Sequence, residues 1–164
     1  MNGLSIRPME PGDWPDVERI YRAGIEGGNA TFETAPPSWE VWDATNLPNV
    51  RLVAVAGRVI GWSAAKRVST RFCYRGVIEH SIYVDPTVAR QGVGRRLLEA
   101  LIETSEALGY WTIQTAVFPE NEASIALHEK VGFRVVGTQE LLGESNGVWR
   151  DVVVMERRSP SVGR

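Results

Sequence analysis

The chain has 164 residues, 43% of them hydrophobic and 23% charged, and a formal net charge of -2. This is the composition of an ordinary folded domain, without the basic excess of a nucleic-acid-binding protein. Cys73 is the only cysteine, so no internal disulfide forms, and with His80 and His128 it makes no zinc set at any standard spacing.

The first ten residues, MNGLSIRPME, hold no apolar run of the kind a secretory signal needs. No stretch approaches the roughly 20 apolar residues of a membrane span. A cytoplasmic protein without membrane or nucleic-acid partners is expected. Residues 1–157 read as one domain, and the polar Arg158–Arg164 as a flexible tail.

Leu4–Arg7 reads as a short strand. Trp14, Val17, Ile20, Tyr21 and Ile25 then recur at helical spacing behind a capping Asp13. Gly24, Gly27 and Gly28 weaken or end that helix. Ser38 precedes a second, short helix with Trp39 and Trp42. Arg51–Ala56 and Val59–Lys66 flank a glycine turn and read as a hairpin. Gly76–Val84 is the next strand, ended by Asp85-Pro86. Val93, Leu97, Leu98, Leu101, Ile102 and Ser105 form one stripe of a long helix, closed at Gly109. Tyr110–Val117, Phe133–Gly137 and Val152–Met155 are further strands. A helix from Asn121 to about Val131 lies between the first two, and a polar loop, Gly143–Gly147, between the last two. This order predicts an α/β (α+β) domain, a mixed sheet with helices on both faces.

The segment from Asp85 to Leu97 carries chemical content. A strand ends, and Gln91-Gly92-Val93-Gly94 opens a long helix. Such a turn exposes backbone N–H groups at the positive end of a helix dipole. Arg90, Arg95 and Arg96 add charge. Read plainly, it is either a pyrophosphate cradle or a tight strand–helix turn. It has neither a Walker ending nor the Gly-x-Gly-x-x-Gly of dinucleotide folds.

Period-two alternation puts Val77, Glu79, Ser81 and Tyr83 on one face of their strand and Ile78, His80, Ile82 and Val84 on the other. A carboxylate in an apolar strand has a role or a partner. For Glu79 these are a general base, favoured by partial burial, or an ion pair with an arginine of the preceding loop. His80 joins the face of Glu79 only if the strand bulges; otherwise it fills space. Asn121 is placed to cap its helix.

The motif Ala89-Arg90-Gln91-Gly92-Val93-Gly94 resembles the Arg/Gln-x-x-Gly-x-Gly/Ala loop of the GCN5-related N-acetyltransferase (GNAT) superfamily, departing at Ala89. Ile25–Thr34, Tyr74–Val84 and Asn121–Phe133 are similar to the phosphinothricin and methionine sulfoximine acetyltransferase branch. The resemblance implies one GNAT domain whose sheet splays between two parallel strands. It implies acetyl-CoA as cofactor, a small amino-acid-like amine as acceptor, and a homodimer. Cofactor contacts are then expected from Ile82, Tyr83, Val84, Arg90, Gln91, Gly92, Val93, Gly94, Arg95, Asn121 and Ser124, with a backbone N–H near Val84 facing the oxyanion.

In the same resemblance Glu79 is the base. His128 stands where most of the superfamily has a tyrosine able to protonate the leaving thiolate; its other reading is a helix histidine satisfied by a carbonyl or water. His80 is a lesser catalytic candidate. Phe32, Glu33, Arg71, Tyr74, Arg75 and Trp149 are expected around the acceptor, an arginine meeting its carboxylate. Two other functions fit the same fold: a peptide or protein N-terminal acetyltransferase, and a non-catalytic acyl-CoA sensor.

Overall fold

The computed structural model describes residues 3–164; the first two residues of the expected domain lie outside them. The chain runs β1 (Ser5–Pro8), α1 (Trp14–Glu26), α2 (Trp39–Thr45), β2 (Arg51–Ala56), β3 (Arg58–Arg67), β4 (Val77–Val84), α3 (Val93–Ala107), β5 (Thr112–Val117), α4 (Glu122–Lys130), β6 (Arg134–Ser145) and β7 (Val148–Arg158). These strands form one sheet in the order β1-β2-β3-β4-β5-β7-β6. The fold is the expected one, a single mixed α/β domain with a central twisted sheet and flanking helices.

α3 lies on one face because its apolar stripe demands it. Val93, Leu97, Leu98 and Leu101 are all but fully buried against Ile60, Ile78, Ile113 and Met155. Each such side chain contributes roughly 1.5–3 kcal/mol over an exposed position. α1 and α2 cover the opposite face, where Val17, Ile20 and Trp42 pack on Val53, Val59 and Trp62. Aromatic rings link this layer into a chain: Trp39–Trp14, Trp14–Trp42, Trp42–Trp62 and Trp62–Tyr83 have centroids 5.7, 5.4, 5.8 and 4.9 Å apart. Gly24 sits within α1, not at its end, because a Cβ there would lie 2.5 Å from the Tyr83 ring. The glycine gives up helix propensity so that α1 can lie over that ring.

All neighbouring strands are antiparallel except β4 and β5, which are parallel. Their pairing runs only through Val77↔Thr112, Ile78↔Ile113 and Glu79↔Gln114. Beyond those residues β4 continues to Val84 and β5 to Val117 without pairing to each other. The sheet therefore opens between them, as expected.

The C-terminal part departs from the sequence reading. The strands read as Phe133–Gly137 and Val152–Met155 are a hairpin of 12 and 11 residues. The expected loop Gly143–Gly147 is the end of β6 plus a two-residue turn, Asn146-Gly147, with φ of 53° and 79°. Positive φ at both residues matches the twist of a hairpin. β6 is an edge strand, exposed over most of its length and irregular in register at two places, so it shows no alternation to read. The segment read as a flexible tail makes contacts with the domain. Ser159 is buried and donates its N–H to the Trp111 carbonyl, and the Arg158 guanidinium donates to the Val162 and Gly163 carbonyls. No helix among the described residues is long and apolar enough to cross a membrane.

Candidate active site

The opening between β4 and β5 is the centre of the site. A cavity of about 310 Å³ lies on the α1 side, walled by Tyr21, Phe32, Tyr83 and Phe118, with Glu79 and Lys66 at its polar end. A smaller cavity of about 70 Å³ continues into the opening itself, past His80, Ile82, Asn121, Ser124 and His128.

Glu79 is the last residue of β4 to pair with β5, so its carboxylate stands where the sheet parts. Its side chain is 38% exposed and pairs with Lys66, Nζ to Oε1 3.1 Å. The expected arginine partner is thus replaced by the lysine directly opposite on β3. His80 does not share this face. The β3–β4 register is unbroken, Lys66↔Glu79 then Ala65↔His80, and there is no bulge.

His80 is instead buried, with its ring against Phe133 and His128. Nδ1–H of His128 donates to the Ser124 carbonyl at 2.6 Å, leaving its Nε2 as acceptor for Nε2–H of His80 at 3.0 Å. Nδ1 of His80 is buried without a partner. Burial, and then the neighbouring His128, hold the pKa of His80 at about 3. Burial also lowers His128. Both imidazoles are therefore neutral at neutral pH. Both nitrogens of His128 are engaged within the protein, as in its alternative reading of a helix histidine satisfied by a carbonyl.

The glycine loop has the geometry of an anion cradle. Gly92 caps α3 in the left-handed region, φ 79°, a conformation costly for other residues. Arg96 N–H is bonded to the Gly92 carbonyl, so the N–H groups of Val93, Gly94 and Arg95 precede the first helical acceptor. Gly94 faces Leu127 of α4 and Val84. Arg90, Gln91 and Arg95 are exposed around it, Arg95 pairing with Glu99. Asn121 caps α4, accepting from Ser124 N–H, and donates to the Asn29 carbonyl. These donors, the unpaired edge of β4 over Ile82, Tyr83 and Val84, and the small cavity fit a long phosphate-bearing ligand.

The acceptor residues divide. Phe32 and Glu33 line the larger cavity. Arg71, Tyr74, Arg75 and Trp149 are not among its lining residues. Arg71 stacks on Tyr74, and Arg75 lies over Phe72 and Trp111 with a hydrogen bond to the Phe72 carbonyl. Trp149 is 59% exposed on the hairpin. The two arginines of this exposed loop thus rest on aromatic rings.

Four residues escaped the sequence reading. Lys66 is found only once β3 and β4 are aligned. Tyr21, assigned to the core, closes on Tyr83 with centroids 4.8 Å apart, and burial chiefly pushes the Tyr83 hydroxyl above the usual phenol range. Asp85, read only as a strand end, is buried. It accepts from Arg19, Arg58 and Thr87; burial would raise its pKa, but Thr87 and Arg19 hold it at about 2. Arg150 lies over Phe118 and donates to the Gly28 carbonyl and Asn29, tying the hairpin to the loop after α1.

Residues 14–133 match the acetyltransferase (GNAT) family, and the chain belongs to that family. It is 35% identical over 164 residues to the phosphinothricin N-acetyltransferase of Alcaligenes faecalis, covering 93% of this chain and 81% of that one. It is 30% identical over 159 residues to the L-methionine sulfoximine/L-methionine sulfone acetyltransferase of Pseudomonas aeruginosa, covering 93% and 92%. Its fold superposes on a phosphinothricin acetyltransferase from Sinorhizobium meliloti in complex with acetyl-CoA, with a TM-score of 0.86, 30% identity and coverage of 97% and 95%.

Proposed function

We propose that this protein moves an acetyl group from acetyl-CoA to the amino group of a small amino-acid-like acceptor of the methionine sulfoximine, methionine sulfone or phosphinothricin type. The observation that carries the reading is Glu79, a carboxylate at the parting of β4 and β5, facing a cavity of about 310 Å³ with the glycine loop beyond the same strand. Bound acetyl-CoA supplies an acetyl group activated as a thioester. The free N–H groups at the start of α3, with Asn121 and the backbone of β4, hold it along the opening. An ammonium is not a nucleophile, so Glu79 takes a proton from the acceptor before attack. Phe32, Tyr21 and Phe118 enclose the acceptor, and holding two reactants in register supplies much of the rate. His80 and His128 are neutral in this reading, and the buried pair shapes the opening.

The same reading includes a homodimer. β6 closes the sheet on one side only, and Leu141, Leu142, Val148 and Trp149 are exposed on its hairpin. Such an edge favours covering by a second chain.

The test is a thiol-release screen with acetyl-CoA against amino acids and their sulfoximine, sulfone and phosphinate analogues. Turnover with these analogues, and none with peptide N-termini, is expected. CoA binding without thiol release from any acceptor overturns transfer and leaves a binder. Sedimentation at a monomer mass at micromolar protein overturns the dimer.

A further inference from the structure

Among the described residues, the larger cavity is lined by one cation, Lys66. Two carboxylates, Glu79 and Glu33, line it as well, and His80 is neutral there. The nearby arginines are occupied elsewhere, Arg67 on the Arg75 carbonyl, Arg71 and Arg75 on rings beside them, and Arg150 on Phe118 and Glu120. An acceptor with an acidic group therefore has Lys66 as its counter-charge.

Lys66 and Glu79 sit opposite each other on β3 and β4, and their charged atoms are 3.1 Å apart. Lys66 is 53% exposed and Glu79 38%. An ion pair this open to water is weak, because water competes for both partners. In an α-amino acid the ammonium and the carboxylate hang from one carbon. Their separation is close to that of two hydrogen-bonded groups. Such a zwitterion can lie against the pair with its charges reversed.

We propose that Lys66 is the specificity residue for the acceptor. It takes the acceptor's carboxylate while Glu79, its partner across the two strands, takes the acceptor's ammonium. This rests on the acetyl-transfer reading above and narrows it to amines that carry a carboxylate beside the amino group. Opening the pair leaves each charge with an opposite partner, so no unpaired charge is created. Glu33 leaves the cavity one negative charge in excess, which favours the ammonium end on the side of Glu79. A simple amine satisfies Glu79 but displaces Lys66 without replacing its partner, and is the poorer acceptor.

The experiment compares wild type, Lys66→Met and Lys66→Arg on methionine sulfone and on its carboxamide, with CoA binding measured on each by calorimetry. For Lys66→Met, KM for the acid should rise about 10–100-fold, with CoA affinity unchanged and little change in KM for the carboxamide. Lys66→Arg keeps the charge and should fall between. Equal changes for acid and carboxamide, or a loss confined to kcat on both, overturn the proposal and leave Lys66 as a support for Glu79. A wild-type enzyme that accepts both substrates equally also overturns it while acetyl transfer stands. A wild type that acetylates neither overturns the functional reading and this proposal together.

Discussion

His80 Nε2 lies 3.0 Å from His128 Nε2, and both rings are buried at the floor of the opened sheet. The pair is held neutral, since burial lowers both and His128 adds to the effect on His80. The unfolded chain binds a proton at His80 near 6.5, and the folded chain only near 3. The contribution is thus whole above pH 6.5 and is lost as pH falls from there toward 3. His80 alone removes up to about 1.4 kcal/mol of stability per pH unit in that window. Urea unfolding from pH 8 to 4 should show the decline, and His80→Gln should flatten it. A parallel decline in that variant refutes the assignment.

Glu79→Gln keeps shape and removes basicity. Turnover should fall about 10²–10⁴-fold while CoA still binds, because the cofactor donors lie on α3, α4 and β4. The acidic limb of the rate profile should vanish with it. Near-wild-type turnover, measured by thiol release across pH 5 to 9, means that the proton leaves by another route.

Gly92→Val places a β-branched residue at φ 79°. The strain is about 1–2 kcal/mol, relieved by moving the first turn of α3. CoA affinity, read by calorimetry, should drop by an order of magnitude or more, about 1.4 kcal/mol per factor of ten. An unchanged affinity means that the loop N–H groups do not hold the ligand.

Asp85 fastens the segment before that loop to α1 and β3 through Arg19 and Arg58. Asp85→Asn leaves two guanidinium groups without their carboxylate. Both arginines reach solvent, so the loss is about 1–3 kcal/mol, below the 3–5 of a fully buried pair. Denaturation should register that loss, and KM for acetyl-CoA should rise as the loop loosens. A variant as stable as wild type shows that the arginines find water instead.

The sequence made the central elements readable and the periphery opaque. α3 and β4 carry clean periods, so their faces and the position of Glu79 could be assigned from the chain alone. The β6–β7 hairpin was readable only at Phe133–Gly137 and Val152–Met155, since the exposed edge strand β6 has no apolar face to alternate. Lys66 shows why a site is harder than a fold. Thirteen positions separate it from Glu79 in the chain, and only the register of β3 on β4 makes them neighbours. Arg71 and Arg75, nearer to Glu79 in sequence, stack on rings of their own loop instead.

The aromatic chain from Trp39 through Trp14, Trp42 and Trp62 to Tyr83 has an optical consequence. Four indoles, each in contact with the next, share excitation, and the last borders the cavity through Tyr83. An acceptor laid against Tyr83 changes the surroundings of the innermost indole, so the intrinsic ultraviolet emission of the protein reports occupancy of the cavity without any label. Trp62→Phe would remove the indole nearest the cavity and with it that response, while altering the emission of the three indoles that share its excitation.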